Sequence, residues 1–370
     1  MLVIFFVTLE KTSYMDILQQ IRELIPELTL LERTFLINEL SRSRSVAELP
    51  KSTSCPYCTS PEFIKYSSYK GNQRYLCKSC KRTFTQKTGT ALQSLKKPDD
   101  FLRYYSAMIE DGFVPMRKMT KKFGISLQTA FDWRHKALIL LDVHKEAFKD
   151  ITEIDDLWFR FNSKGRKGLP FSKKRGYSKK LGDNDFETKL LVTADRNNHL
   201  DLSVVRVGRI KKIDIIRKIG DRVNANTTLT SDKHSSIASF AKELNVKHVT
   251  FKAKDHVADK THHVQYVNNI ASRLKHEINH NLRGVATKYL QNYANWFKEM
   301  EVLKNEKDIT TSAIKDLLSQ NHAWDLYLNI EKEYEVFLKK YSERTYRCPT
   351  QRFRKSQNWT GNVLNTYATY

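Results

Sequence analysis

The pattern of apolar and polar positions changes period several times along the chain, and each change marks a new element. Over residues 15–50, apolar side chains recur at three- and four-residue intervals (Ile17, Ile21, Leu24, Ile25, then Leu31, Phe35, Leu36, Leu40), which predicts an amphipathic helix pair. Two short runs, Phe63 to Tyr66 and Arg74 to Leu76, flank a turn at Lys70-Gly71-Asn72 and predict a hairpin. After Pro98 the helical period returns through Phe101, Tyr104, Tyr105, Met108 and Ile109, until Gly112 interrupts it. From residue 151 the pattern is that of strands. Ile151 to Phe161, Lys189 to Ala194 and Leu200 to Val207 read as three of them, the last two joined through Asp195 to Asn198. A helix over 212–223, a short strand Thr228 to Ser231 that delivers Asp232, another helix, a strand Lys247 to Phe251 and a long helix from about Val264 follow. A last helix is expected around Trp324 to Leu338.

These changes predict a multidomain α+β chain. Its parts are an N-terminal helical segment (1–50), a cysteine-bearing ribbon (51–97), a helical module (98–148), a mixed α/β core (149–305), and a C-terminal helical segment with a basic tail (306–370). The apolar run at 2–7 ends at Glu10 and Lys11, far short of the roughly 20 residues a membrane span needs. It reads as a first strand, or as sequence upstream of a true start at Met15. No membrane partner is expected, and the chain is read as cytoplasmic, where paired cysteines favour metal over disulfide.

Composition sharpens this. The 370 residues hold 64 Lys+Arg against 41 Asp+Glu, a formal net charge of +23, while 40% hydrophobic residues exclude a disordered chain. Such an excess implies a polyanionic partner, with nucleic acid ahead of an anionic membrane surface.

Four of the five cysteines form two knuckles, Cys55-Pro-Tyr-Cys58 and Cys77-Lys-Ser-Cys80, separated by 18 residues. That spacing fits a zinc ribbon, in which four thiolates close a tetrahedral structural site with no position for water. The alternatives are two disulfides or four unrelated thiols. Lys65, Lys70, Arg74, Lys78, Lys81, Arg82 and Lys87 make the module basic, as a DNA-contacting ribbon or a spacer would be.

Further on, Met116 to Phe123, then Gly124-Ile125-Ser126, then Leu127 to Arg134 read as a helix, a glycine turn, a serine cap and a second helix. This is a helix-turn-helix pattern, with Gln128 and Thr129 placed for base edges and Arg134, His135 and Lys136 for phosphates. A plain helical hairpin is the alternative.

In the core, Asp155 lies within the first strand and Asp232 ends the fourth, where adjacent strands would bring them together. Paired carboxylates of this kind suit phosphodiester chemistry with Mg²⁺. Three antiparallel strands followed by βαβα is the order of an RNase H-like core. On the long helix, Asn268 and Lys275 stand seven residues apart, about 20° from one face. The stretch from Lys164 to Lys180 holds eight basic residues and no acidic one, as either a mobile insertion or a phosphate clamp.

From about Cys55 to Glu301 the chain resembles a DDE-type insertion-sequence transposase of the zinc-ribbon group, the family numbered fifteen ninety-five (ISXO2-like), whose catalytic set is Asp-Asp-Asn-Lys. The residues that carry the resemblance are the cysteine knuckles, Phe123-Gly-Ile-Ser126, Glu153-Ile-Asp-Asp156, Ala194-Asp-Arg196, Ser231-Asp232, Asn268, Ser272 to Lys275, and Gly284 to Trp296. The resemblance implies that Asp155, Asp232 and Asn268 hold Mg²⁺ (or Mn²⁺), with Lys275 as the following lysine, and that Cys55, Cys58, Cys77 and Cys80 hold structural Zn²⁺. Asp156 stands where relatives carry Glu, and Glu153 and Glu277 are candidate auxiliaries. Gln128, Thr129, Arg134, Lys136, Lys167, Lys173, Lys174 and Arg175 are the expected DNA contacts. The implied protein is a nucleoid-associated bacterial transposase that binds double-stranded DNA, both terminal inverted repeats and target, as a homodimer or larger assembly. An inactive transposase-derived regulator and a structure-selective nuclease are the alternatives.

Overall fold

The computed structural model describes residue 19 and residues 22–29, 31–33, 52–69, 71–165, 186–251, 259–320 and 323–342. The expected contacts Lys167, Lys173, Lys174 and Arg175, the basic tail beyond 342 and most of the N-terminal helix pair lie outside these residues. The chain divides into two compact units, Met1–Leu49 and Pro50–Tyr370. In the first, the Thr29 N–H donates to Glu32 Oε2 (2.9 Å) and the Glu32 N–H to Thr29 Oγ1 (3.3 Å), a reciprocal cap on the helical residues 31–33.

The second unit begins with a three-stranded antiparallel sheet, β1 (Phe63–Tyr69), β2 (Asn72–Cys77) and β3 (Thr83–Thr85). Its small core is Cys55, Cys77 and Phe84, with Phe63 edge-on to Tyr75 and Phe84 at 5.4 and 5.3 Å. β3 adds a strand to the expected hairpin. Three helices follow: α1 (Pro98–Asp111), α2 (Met116–Phe123) and α3 (Leu127–Leu138). Gly124 ends α2 in the left-handed region at φ +60°, where a side chain is strained, and Ser126 Oγ accepts from the Thr129 N–H (3.0 Å) to start α3.

The central sheet has five strands, β4 (Ile151–Arg160), β5 (Glu187–Asp195), β6 (Leu200–Val207), β7 (Thr228–Asp232) and β8 (Lys247–Phe251). Their spatial order is β6-β5-β4-β7-β8, with the first three antiparallel and β4-β7-β8 parallel. Along the chain, three antiparallel strands precede β7 and β8, the succession read from the sequence. Helices α4 (Lys212–Ile219) and α5 (Ser235–Glu243) cover one face, where Ile154, Leu191, Val205, Ile215, Ile219, Ile237 and Phe240 form the main core cluster.

Four more helices complete the unit: α6 (Gln265–His276), α7 (Leu290–Leu303), α8 (Ile309–Ser319) and α9 (Ala323–Tyr341). α6 buries Val267, Ile270 and Leu274 and runs on into a π-helical turn at Glu277–Asn281. α7 is locked to β6 by Gln291, which accepts from the Val204 N–H (2.7 Å) and donates to the Leu202 carbonyl (2.8 Å). Among the described residues no helix is long and apolar enough to cross a membrane.

Candidate active site and metal centre

The site grows from β4. Ile154 packs into the α4/α5 face, so the alternate residues Glu153 and Asp155 point to the opposite side. β4 pairs in parallel with β7 as Ile151↔Thr228, Thr152↔Leu229 and Glu153↔Thr230. Two residues further along, Asp155 comes level with Asp232 at the end of β7. The two carboxylates act on each other: burial, with the charges of Asp156 and Asp232 added to it, pushes the Asp155 carboxyl up to about 7. Asp156 faces the other way and pairs with Lys189 at 2.8 Å. Strand alternation thus resolves which of the adjacent aspartates meets Asp232.

Glu153, fully buried, fixes the neighbouring helix. Its Oε2 accepts from the Tyr266 and Val267 N–H groups (2.9 and 3.1 Å) in the first turn of α6, and its Oε1 pairs with Arg196 at 2.6 Å and faces His263 at 3.3 Å. Burial raises its pKa against the pull of these donors. The residue after Val267 is Asn268. The turn that carries Asn268 is therefore bonded to the β4 residue two before Asp155, about 7 Å along the strand. At the other end of α6, Lys275 Nζ lies 4.2 Å from the centre of the Trp158 ring on β4, and burial lowers its pKa. α6 is thus pinned along β4 at both ends. Asp195 closes the β5–β6 turn, accepting from the Lys149, Asn197 and His199 N–H groups, which sets Arg196 against Glu153.

Of the two expected auxiliaries, Glu153 is engaged as the helix anchor, and Glu277 accepts from Asn281 at 2.5 Å through one of its oxygens. Among the described residues no third His, Cys, Asp or Glu clusters with Asp155 and Asp232. A pair of facing carboxylates, one of them held protonated up to about 7 by burial, fits a divalent cation that would relieve the repulsion.

The four ribbon cysteines converge. Cys55 Sγ lies 3.7 Å from Cys80 Sγ, and Cys58 Sγ lies 3.6 Å from Cys77 Sγ. Tetrahedral zinc with bonds of about 2.3 Å needs sulfurs roughly 3.8 Å apart, so the quartet fits zinc and its spacings exclude S–S bonds. The Cys80 N–H, donating toward the Cys77 sulfur, leads the effects that bring that thiol down to about 6, toward the thiolate a metal needs.

The helical module departs from expectation. Arg134 and Lys136 are each 1% exposed and cannot meet phosphates. Arg134 donates to the Val114 carbonyl (2.8 Å) and stacks over Trp296 of α7, whose ring also stacks on Phe113 at 4.3 Å; Lys136 donates to the Gln93 carbonyl (2.7 Å). His135 is equally buried against Tyr289 and Asn292, and burial drops its pKa to about 3. Arg134 shares one buried helical stripe with Ala130, Trp133, Ala137 and Leu138, and the last turns of α3 are enclosed all round, so His135 and Lys136 on its other faces are buried as well. Phe101 and Tyr104 of α1 hold this stripe at Trp133 and Ala130, while the Gly284 to Trp296 segment covers Arg134 and His135. α3 leaves its first turn to solvent, where Gln128 is exposed but bonded to Asp132 (2.7 Å), which also accepts from Tyr327 of α9. Thr129 is half-buried beside Ser126. The exposed cations sit on α2, as Arg117, Lys118, Lys121 and Lys122, a cationic face that the sequence reading passed over.

Residues 148–299, which span the central sheet and α6, match a transposase domain. The matching family model is that of ISXO2-like transposase domains, and the match takes in about two fifths of the chain. A relative from Halobacterium salinarum, an uncharacterized protein in transposable element ISH50, is 32% identical over 148 residues, 38% of this chain and 49% of the relative. The chain thus spans about half the length of that relative. Among solved structures the chain is similar to a pre-cleavage Mos1 transpososome (13% identity, 62% of this chain and 77% of that chain, TM-score 0.23). It is also similar to the Mos1 transposase paired-end complex with left transposon end (12% identity, 66% and 80%, TM-score 0.23). Both superpositions are too loose to carry geometry across.

Proposed function

We propose that the protein is the DNA transposase of an insertion sequence, binding the element's terminal inverted repeats and carrying out divalent-metal-dependent strand cleavage and strand transfer. The observation that carries this reading is the meeting of Asp155 and Asp232 across parallel strands within a domain that matches the ISXO2-like family. When bound between Asp155, Asp232 and Asn268, Mg²⁺ or Mn²⁺ would polarise the scissile phosphate and lower the pKa of water. Asn268 adds a neutral oxygen, so two carboxylates rather than three set the charge of the site. Glu153 fixes the first turn of α6, the turn that carries Asn268. Lys275, braced on Trp158, offers a point charge to a DNA phosphate. A 3′-hydroxyl released by cleavage then attacks target DNA in line through the same site.

Zinc in the cysteine quartet would serve as the fold's staple. Duplex DNA is the partner that the net charge of +23 suits, with α2, the first turn of α3 and the ribbon as the contacting surfaces. Joining two ends in concert requires a dimer or a larger assembly.

The test is cleavage and joining of DNA carrying the element's ends, with Mg²⁺ or Mn²⁺. Asp155→Ala and Asp232→Ala should each lower cleavage about 10³-fold or more, near 4 kcal/mol, while leaving end binding intact. Cleavage that survives both changes overturns the site. End binding without any cutting would identify a regulator, and nicks without joined products a nuclease.

A further inference from the structure

A second group of metal-ligating side chains lies away from both sites above. His144, in the segment between α3 and β4, meets Glu299 of α7 and Asp316 of α8. His144 Nε2 is 3.2 Å from Glu299 Oε2 and 3.5 Å from Asp316 Oδ2, and one ligand atom from each residue lies within 4.8 Å of the others. Bonds of 2.0–2.2 Å at tetrahedral angles set N and O ligands roughly 3.3–3.6 Å apart, so the histidine's two separations are those of ligands on one ion.

The hydrogen bonding points the same way. Glu299 has a side chain 0% exposed, and its near partner is His144 Nε2, whose 3.2 Å approach is not aligned for a hydrogen bond although the contact with Glu299 raises the His144 pKa. A buried carboxylate without a donor costs several kcal/mol, and native structures rarely leave one so. With the imidazole neutral the cluster carries −2, which a divalent cation would cancel in place of the proton that Glu299 and Asp316 otherwise favour on His144. The side chains of His144 and Asp316 keep 18% and 28% exposure, which leaves a route for an ion to enter. Lys298 does not supply the missing charge directly: its Nζ donates to the His144 carbonyl and faces Asp142 at 3.6 Å.

We propose that His144, Glu299 and Asp316 form a third metal site, which takes one divalent transition-metal ion of the Zn²⁺ type. One imidazole and two carboxylates are a borderline set that suits Zn²⁺ better than Mg²⁺. The ion would clip together three pieces of chain: the segment leaving the helical module, α7, which is locked to β6, and α8, whose Ala313 carbonyl accepts from Tyr105 of α1 (3.4 Å). The site is a structural clasp between the helical module and the sheet, and it stands whether or not the chain transposes DNA.

The test uses the full chain carrying Asp155→Ala and Asp232→Ala, so that the carboxylates of β4 and β7 take up no ion, with Co²⁺ as the spectroscopic probe. Two Co²⁺ per chain are expected, one with thiolate charge-transfer bands from the cysteine quartet and one without them. Adding His144→Ala or Asp316→Asn should remove the second equivalent and leave the thiolate bands, which also report that the ribbon remains folded. Zn²⁺ should raise the Tm of the parent by several degrees beyond the shift seen in the Asp316→Asn variant. One Co²⁺ per chain in the parent, or two retained in both variants, overturns the proposal. The first of these results would leave the cluster as an imidazolium between two carboxylates.

Discussion

β4 and α3 both carry charged residues where their neighbours are apolar, and the two elements treat them in opposite ways. On α3, the buried cations are turned to packing: Arg134 gives one guanidinium nitrogen to the Val114 carbonyl and lies over the Trp296 ring, its Nε and Nη1 without an aligned acceptor, and Lys136 has the Gln93 carbonyl. Their charges are spent on joining α3 to α7 and to the ribbon's trailing segment. On β4, Glu153 is turned to packing in the same manner, but Asp155 is not. It accepts from one N–H, that of Asp156, and it is buried within the field of two further carboxylates, Asp232 and Asp156. A cation packed against a carbonyl and an aromatic face belongs to the fold, whereas a carboxylate left beside like charges suits a cationic ligand. That difference separates architecture from chemistry here, and it can be tested from both sides.

The largest effect is expected on β4. Asp155→Asn should cost cleavage about 10³-fold, yet it should not lower stability at neutral pH without divalent metal. Arg134→Ala should do the reverse in kind, destabilising the chain by about 2–4 kcal/mol in denaturant unfolding, because it empties a packed site against Trp296 and strands a carbonyl. An Arg134→Ala protein of unchanged stability but weakened DNA binding would contradict the assignment.

A third outcome concerns pH. The Asp155 carboxyl titrates at about 7 in the fold against 3.8 unfolded, so the folded state holds the extra proton between those values. The stability it contributes is complete below about pH 4 and is lost as pH rises through 7. Thermal melts in chelator should show this decline in the wild type, and Asp155→Asn should flatten it. The smallest effect on stability belongs to α2. Arg117→Ala and Lys121→Ala should change stability by no more than about 0.5 kcal/mol, while each lowers the slope of log K against log salt for DNA by about 1.

Much of the sheet was legible because strands announce themselves by local runs. Leu200 to Val207 falls where the apolar run does, and Asp232 ends its strand as read. β3 was not legible, since Thr83-Phe84-Thr85 is too short to show a period. The cysteine quartet was legible from spacing alone, because a knuckle is a local structure. Arg134 was misread although the signal was present: its place on the 130/133/134/137/138 stripe outweighs its charge. The anchoring role of Glu153 had no local signal, because its partners come 113 and 114 residues later. His144, Glu299 and Asp316 likewise come from three separate segments, and no spacing joins them.

The central claim is that Asp155 and Asp232 together hold a divalent cation. Mn²⁺ binding to the full chain, followed by electron paramagnetic resonance in a His144→Ala background, tests it most directly. Tight binding in that parent is expected to fall at least tenfold in affinity on Asp155→Asn and again on Asp232→Asn. Mn²⁺ affinity unchanged by both substitutions would contradict it.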